Sequence, residues 1–189
     1  PHVRPIVRGK AGAPVEFGAK VAVSLVDGYT FIDHVSWENF NESQRLKVQV
    51  EEYYRRFGCM PESIHADKIY RNRDNRNYCK GLGIRLSGPA LGRPAELTRE
   101  EKRQMREDNS VRNSVEGKFG QGKRRFGLSR IMAKLQETSE SVIWINIIVM
   151  NLERRLAVFL YCFLRCITKY MSRPKQLVKP IRLRWGAAF

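Results

Sequence analysis

The chain has 189 residues, 42% of them hydrophobic, and carries a formal charge of +16. That apolar content suffices for a core, which excludes wholesale disorder, and the length suits one domain or one domain with an appendage. The excess of cations favours a polyanionic partner, nucleic acid before an anionic membrane surface.

The opening PHVRPIVRGKAGAPVE is punctuated by proline and glycine and reads as loop or sheet edge. FGAKVAVSLV and YTFIDHVSW then read as β-type runs. Asp27-Gly28 between them is a hairpin signal, because both central turn positions need positive φ. Residues 41–58 predict a helix striped by Leu46, Val50, Tyr53, Tyr54 and Phe57, with Gly58 as its stop. Residues 62–70 predict a short strand with Asp67 at its end. A helix over 72–83 and a strand over 84–88 follow, an order that implies a parallel crossover.

PALGRPAEL is a loop. Thr98 and Glu101 form a capping box, so a helix starts near Arg99 and runs to about Lys118, where Gly117, Gly120 and Gly122 weaken it. A final long helix covers Ser129 to Tyr170, with a break near 137–141. Its apolar runs VIWINIIVM and LAVFLYCFL are each too short to span a bilayer and are separated by Glu153, Arg154 and Arg155, so the helix is buried or half-buried. The tail from 171 is basic, interrupted by proline and extended.

Cys59, Cys79, Cys162 and Cys166 form no C-x-x-C pair, and His2, His34 and His65 do not complete a structural zinc spacing. Cys162 and Cys166 lie in an apolar helical pattern, where buried free thiols are usual, and point to a reducing compartment.

Two acids invite a chemical reading. Asp67 closes a strand, and in open α/β sheets ligands gather at the carboxyl ends of strands; the ordinary alternative is an acid that ends a strand in a turn. Glu116 stands in NSVRNSVEGKFGQGKRRFG, a strongly basic stretch. It shares a helix face with Arg112 and Asn109, so an i,i+4 ion pair with Arg112 is its ordinary reading. A metal ligand is the sharper one.

These stretches, from RPIVRGKAG through VEFGAKVAVSLVDGY, HADKIYRNRDNRNYCKGLGIRLSGPALGRP and RNSVEGKFGQGKRRFGLSRIMAKLQET to NIIVMNLERRL, resemble the catalytic domain of bacterial insertion-sequence transposases of the DDE type, above all the insertion-sequence-five group. The most specific signature is Arg-x3-Glu-x6-Lys, met by Arg112, Glu116 and Lys123. Related transposases carry a tyrosine three residues before the arginine; here that place is Asn109. The resemblance implies an α/β fold, an RNase H-like mixed sheet flanked by helices. It places the catalytic core at 1–128, a helical part of the same domain at 129–170 and a basic tail at 171–189.

By the same resemblance Asp67 and Glu116 are the second and third acids of the triad and hold Mg²⁺, with Mn²⁺ as the alternative. Two such ions roughly 3.5–4 Å apart activate the nucleophile and stabilise the leaving oxygen in phosphodiester cleavage. Arg112 and Lys123 face DNA phosphates, while Lys118, Arg124 and Arg125 add to the general field. The first acid belongs on the first strand of the fold. The visible chain begins near the second, so that acid is expected upstream of Pro1; Asp27 sits in the hairpin turn, and Asp33 is a weak substitute. The implied activity is strand cleavage and strand transfer on double-stranded DNA, by a homo-oligomer, in the bacterial cytoplasm on nucleoid DNA. The chain alone is expected to be inactive. The competing reading is a non-catalytic DNA-binding remnant or another basic nucleic-acid-binding module.

Overall fold

The computed structural model describes residues 2–3, 5–10, 13–88 and 97–171. It divides into two compact units, Pro1–Leu152 and Glu153–Phe189.

The first unit opens with an antiparallel hairpin, β1 (Pro5–Lys10) and β2 (Ala13–Phe17), where loop or edge was expected. Pro5 does not prevent this, because proline is tolerated as the first residue of a strand. The next hairpin is the expected one, β3 (Lys20–Val26) with β4 (Tyr29–Ser36). At its turn Asp27 has φ 52° and Gly28 φ 83°, the pair of positive values that a tight two-residue turn requires. Ala22 faces His34 but Val23 faces Ile32, so Asp33 is the extra residue of a β-bulge.

A 3-10 turn capped by Asn41 leads into α1 (Leu46–Phe57), which stops as expected at Gly58. Then come β5 (Ser63–Ile64), α2 (Arg73–Gly81) and β6 (Arg85–Leu86). β5 and β6 pair in parallel, as the strand–helix–strand order predicts. The strand before Asp67 is shorter than expected. It ends at Ile64, and Asp67 instead caps a 3-10 turn over Lys68–Tyr70 by accepting the Lys68 N–H at 2.7 Å.

α3 (Arg99–Arg125) starts with the expected capping box but does not fade at Lys118. Tertiary packing overrides the glycines there: Gly122 is buried, and a methyl group on it would stand 2.6 Å from Leu128 and 3.2 Å from Met150. α4 (Gln136–Met171) corrects two expectations. It starts seven residues after Ser129, and it is unbroken through 137–141. The hydroxyls that could have broken it bond back to carbonyls three or four residues earlier, Thr138 and Ser139 to that of Leu135, just before the helix, and Ser141 to that of Glu137.

Among the described residues the strands form three two-stranded sheets, not one mixed sheet. This is an α/β arrangement of small sheets and long helices. Its core is in two parts. Ile32, Ile143, Ile147 and Met150 join the second hairpin to the start of α4. Leu46, Val50, Cys79 and Ile84 join α1 and α2 to the parallel pair. Asn151 adds a two-pronged link, accepting the Thr30 N–H at 2.8 Å and donating to the Thr30 carbonyl at 2.8 Å.

The second unit is described as far as residue 171, and its residues 154–171 are all exposed helix. Cys162 and Cys166 are free, as expected, but exposed and not buried. The run 156–164 is likewise exposed, because a single helix cannot cover its own apolar side chains. No described helix is long and apolar enough to cross a membrane. The basic tail over 172–189 and the loop over 89–96 lie outside the described residues.

Candidate active site

A cavity of about 300 Å³ separates the two parts of the core. Val23 of the first cluster faces it, as do Leu46, Val50, Ile64 and Tyr70 of the second. Asp67, Arg112 and Glu116 line it too. Residues that the sequence places 45 positions apart thus share one space, at the meeting of the β5 extension and α3.

The walls have a particular form. Four consecutive residues of β3, Val23 to Val26, line the cavity, and so do five consecutive residues from Ser63 to Asp67. Strand side chains alternate between faces, so consecutive residues line one space only along a strand's edge. Among the described residues β3 is bonded to β4 alone and β5 to β6 alone. β3 therefore presents an open edge to the cavity, and β5, two residues long, is unpaired on the side away from β6 among the described residues.

Arg112 reaches Asp67, its Nη1 standing 3.5 Å from Oδ1. Both side chains are substantially exposed, at 35% and 72%, so this long pair is worth little, about 0–1 kcal/mol. The Arg112 Nε is buried with no hydrogen-bond partner among the described residues. Glu116 is exposed one turn further along α3. Lys123 does not line the cavity; its side chain is exposed near the end of α3, and its carbonyl accepts the Ser129 hydroxyl at 2.9 Å. Asp27 is exposed in the hairpin turn.

Asp33 is turned elsewhere by the bulge. Its side chain is 3% exposed and accepts Arg56 at 2.8 Å, Gln49 at 3.0 Å and the Ser24 hydroxyl. Three hydrogen bonds on a carboxylate with about four acceptor sites hold it away from the role of a free metal ligand.

Sequence reasoning missed several residues here. Tyr70 lines the cavity, and its phenol is pushed up to about 12 by burial first and then by the charges of Glu42, Asp33 and Asp67. His65 also lines it, two residues before Asp67. Burial lowers the His65 pKa, against the opposing pull of Asp108. Asp108 is a buried carboxylate on α3 that accepts both arms of Arg85, at 2.8 and 2.9 Å, and Gln104 at 3.1 Å. One signal could have found it: Asp108 lies four residues before Arg112 and eight before Glu116, on a shared helix face.

Residues 64–153 match the family model of the transposase DDE domain. The matched segment runs from β5 into α4 and contains Asp67, Arg112, Glu116 and Lys123. It supports a DDE transposase. No curated protein and no solved structure matches the chain.

A transposase DDE domain implies a divalent cation. Among the described residues no group of three or more His, Cys, Asp or Glu side chains is placed to hold a metal ion. Asp67 and Glu116 supply two carboxylates at one cavity. Mg²⁺ is commonly held by one or two carboxylates, with waters and substrate phosphate oxygens completing its shell. Two carboxylates lining one cavity are the kind of donor such an ion takes.

Proposed function

We propose that this chain is the larger part of a transposase catalytic domain that cleaves and joins DNA strands at the cavity between β3, β5 and α3. The observation that carries the reading is the convergence of Asp67, Arg112 and Glu116 on that cavity, within the segment that matches the transposase DDE domain. The +16 charge suits a DNA substrate, because cations that neutralise phosphates release counterions and gain affinity without reading sequence.

Asp67 and Glu116 are the residues that would hold Mg²⁺ or Mn²⁺. When bound, such an ion polarises phosphoryl oxygens and lowers the pKa of water. The chain's own part is placement. Asp67 is fixed by its bond to the Lys68 N–H, and Glu116 by the rigid α3. Arg112, held only loosely by Asp67, is free to turn its planar fork to a phosphate. Lys123, at the exposed end of α3, adds a point charge further along the strand.

The first acid of the triad belongs, in this reading, to a further strand lying between the open edges of β3 and β5. Such a strand would join the hairpin and the parallel pair into the mixed sheet of an RNase H-like fold. Two open edges ask for backbone hydrogen bonds, which a strand supplies on both sides.

The chain alone, with two of three acids, is then inactive or nearly so and still binds DNA. The proposed setting is the bacterial cytoplasm, with paired copies acting on transposon ends. The test is a nicking assay with Mg²⁺ or Mn²⁺ on the 189-residue chain and on the chain extended by an aspartate-bearing strand. The extended chain should nick, and its Asp67→Asn and Glu116→Gln variants should bind DNA without cutting it. Robust cleavage by either variant would overturn the assignment.

A further inference from the structure

One carboxylate on α3 grips the second strand of the parallel pair and lies beside the residue that follows the first. Asp108 is 8% exposed. It takes the Arg85 guanidinium of β6 in a two-armed bond, at 2.8 and 2.9 Å. The His65 Nδ1, buried with no hydrogen-bond partner among the described residues, stands 3.5 Å from the same Oδ1 that accepts Arg85 and Gln104. The His65 ring is itself tied back to β5, its Nε2 lying 3.0 Å from the Ser63 hydroxyl. Gln104, one turn earlier on α3, braces the carboxylate at 3.1 Å.

The position of this clamp matters. An α-helix rises 1.5 Å per residue, so Glu116 stands about 12 Å along α3 from Asp108. His65 precedes Asp67 by two residues on the other side of the clamp. Between them Arg112 makes only a long contact to Asp67, too weak to fix two elements. The two-armed bond, with short charged partners and planar geometry, is the strong link between α3 and the strands.

We propose that Asp108 is a positioning residue: through the Arg85 fork it fixes how far α3 is slid and rolled against β6 and, through the pairing of β6 with β5, against β5, and thereby sets Glu116 against Asp67. It touches no substrate in this role. The consequence for metal binding rests on the reading of Asp67 and Glu116 as ligands of one ion; the geometric claim does not.

The test separates the two. Nitroxides are placed at Lys68→Cys and Gly117→Cys, beside the two acids, with Cys59, Cys162 and Cys166 changed to serine. The distance between them is read by pulsed electron resonance, and free Mn²⁺ is titrated by its own resonance signal. Asp108→Asn should broaden or lengthen the distance distribution and weaken Mn²⁺ binding about tenfold, the effect typical of losing an outer partner of a metal site. The exchanged pair Arg85→Asp with Asp108→Arg should restore both. If Asp108→Asn fails to fold, Asp108→Glu keeps the charge and pushes the clamp out by one methylene, and should shift the distance instead. An unchanged distance in a folded Asp108 variant overturns the proposal. A changed distance with Mn²⁺ binding unchanged upholds Asp108 as the clamp and overturns its consequence for metal binding.

Discussion

The Arg112 guanidinium stands 3.5 Å from the Asp67 carboxylate, joining α3 to the turn after β5 across 45 residues of chain. In the sequence Arg112 has a nearer partner in Glu116, one helical turn away. The structure instead turns it across the cavity, where a phosphate could compete for it.

That competition can be measured. Arg112→Ala and Lys123→Ala should each weaken DNA binding for all sequences alike and flatten the salt dependence by about one unit per lost phosphate contact. Asp67→Asn, which releases Arg112 and removes a negative charge, should bind DNA more tightly. Fluorescence anisotropy over a series of salt concentrations reads all three. A salt slope unchanged by either alanine would remove that residue from the DNA contacts.

Asp108 should shape the acid limit of stability. The Arg85 fork holds its carboxyl below the usual range, with burial opposing and Gln104 and nearby charges assisting. A depressed folded pKa gives stability that is present above the unfolded value, near 3.8, and lost as pH falls through the folded value. Urea titrations from pH 6 downward should show this loss below about pH 4. Asp108→Asn should cost about 1–3 kcal/mol at neutral pH and flatten that limb of the profile.

Two glycines of α3 should respond in opposite directions to alanine. A methyl group at Gly117 meets nothing within 4 Å, so Gly117→Ala should raise the thermal midpoint, by about 0.5–1 kcal/mol in stability. At Gly122 the methyl would lie 2.6 Å from Leu128, which is packed against the first core cluster, and 3.2 Å from Met150. Gly122→Ala should therefore destabilise by about 1–3 kcal/mol despite alanine's better helix propensity. Paired melting curves decide it.

Asn151 offers a cleaner polar test. Its amide matches the Thr30 backbone donor for acceptor, both at 2.8 Å. Asn151→Asp keeps the shape but turns an acceptor toward the Thr30 carbonyl, and should cost about 1–3 kcal/mol. The loss should lessen at acid pH, where the protonated carboxyl donates again. Equal cost at every pH would show that the link matters only for packing.

Much of this molecule was legible because it is local. Asp27-Gly28, the Thr98–Glu101 capping box and the stop at Gly58 each depend on residues within a few positions of one another, and the parallel crossover follows from the order of successive elements. The errors arose where packing overrode local preference. Gly117, Gly120 and Gly122 do not end α3, because its last turns are held by Leu128 and Met150. The hydroxyls near 138–141 do not break α4, because they bond back to carbonyls three or four residues earlier, at Leu135 and Glu137. Cys162 and Cys166 follow an apolar pattern, and such a pattern shows that a face wants cover without showing that it has it.

The sequence by itself determined which residues carry charge and at what helical spacing, so Arg112 and Glu116 were bound to share a face of α3. Only the tertiary structure decided that this face meets Asp67, that Asp33 is turned by a bulge into the grip of Arg56, and that Asp108 clamps α3 to Arg85. Helix phase is fixed by backbone hydrogen bonds every four residues. The meeting of distant side chains is fixed instead by how α1, α2, α3 and the strands bury their apolar faces together, a choice made by the whole core at once.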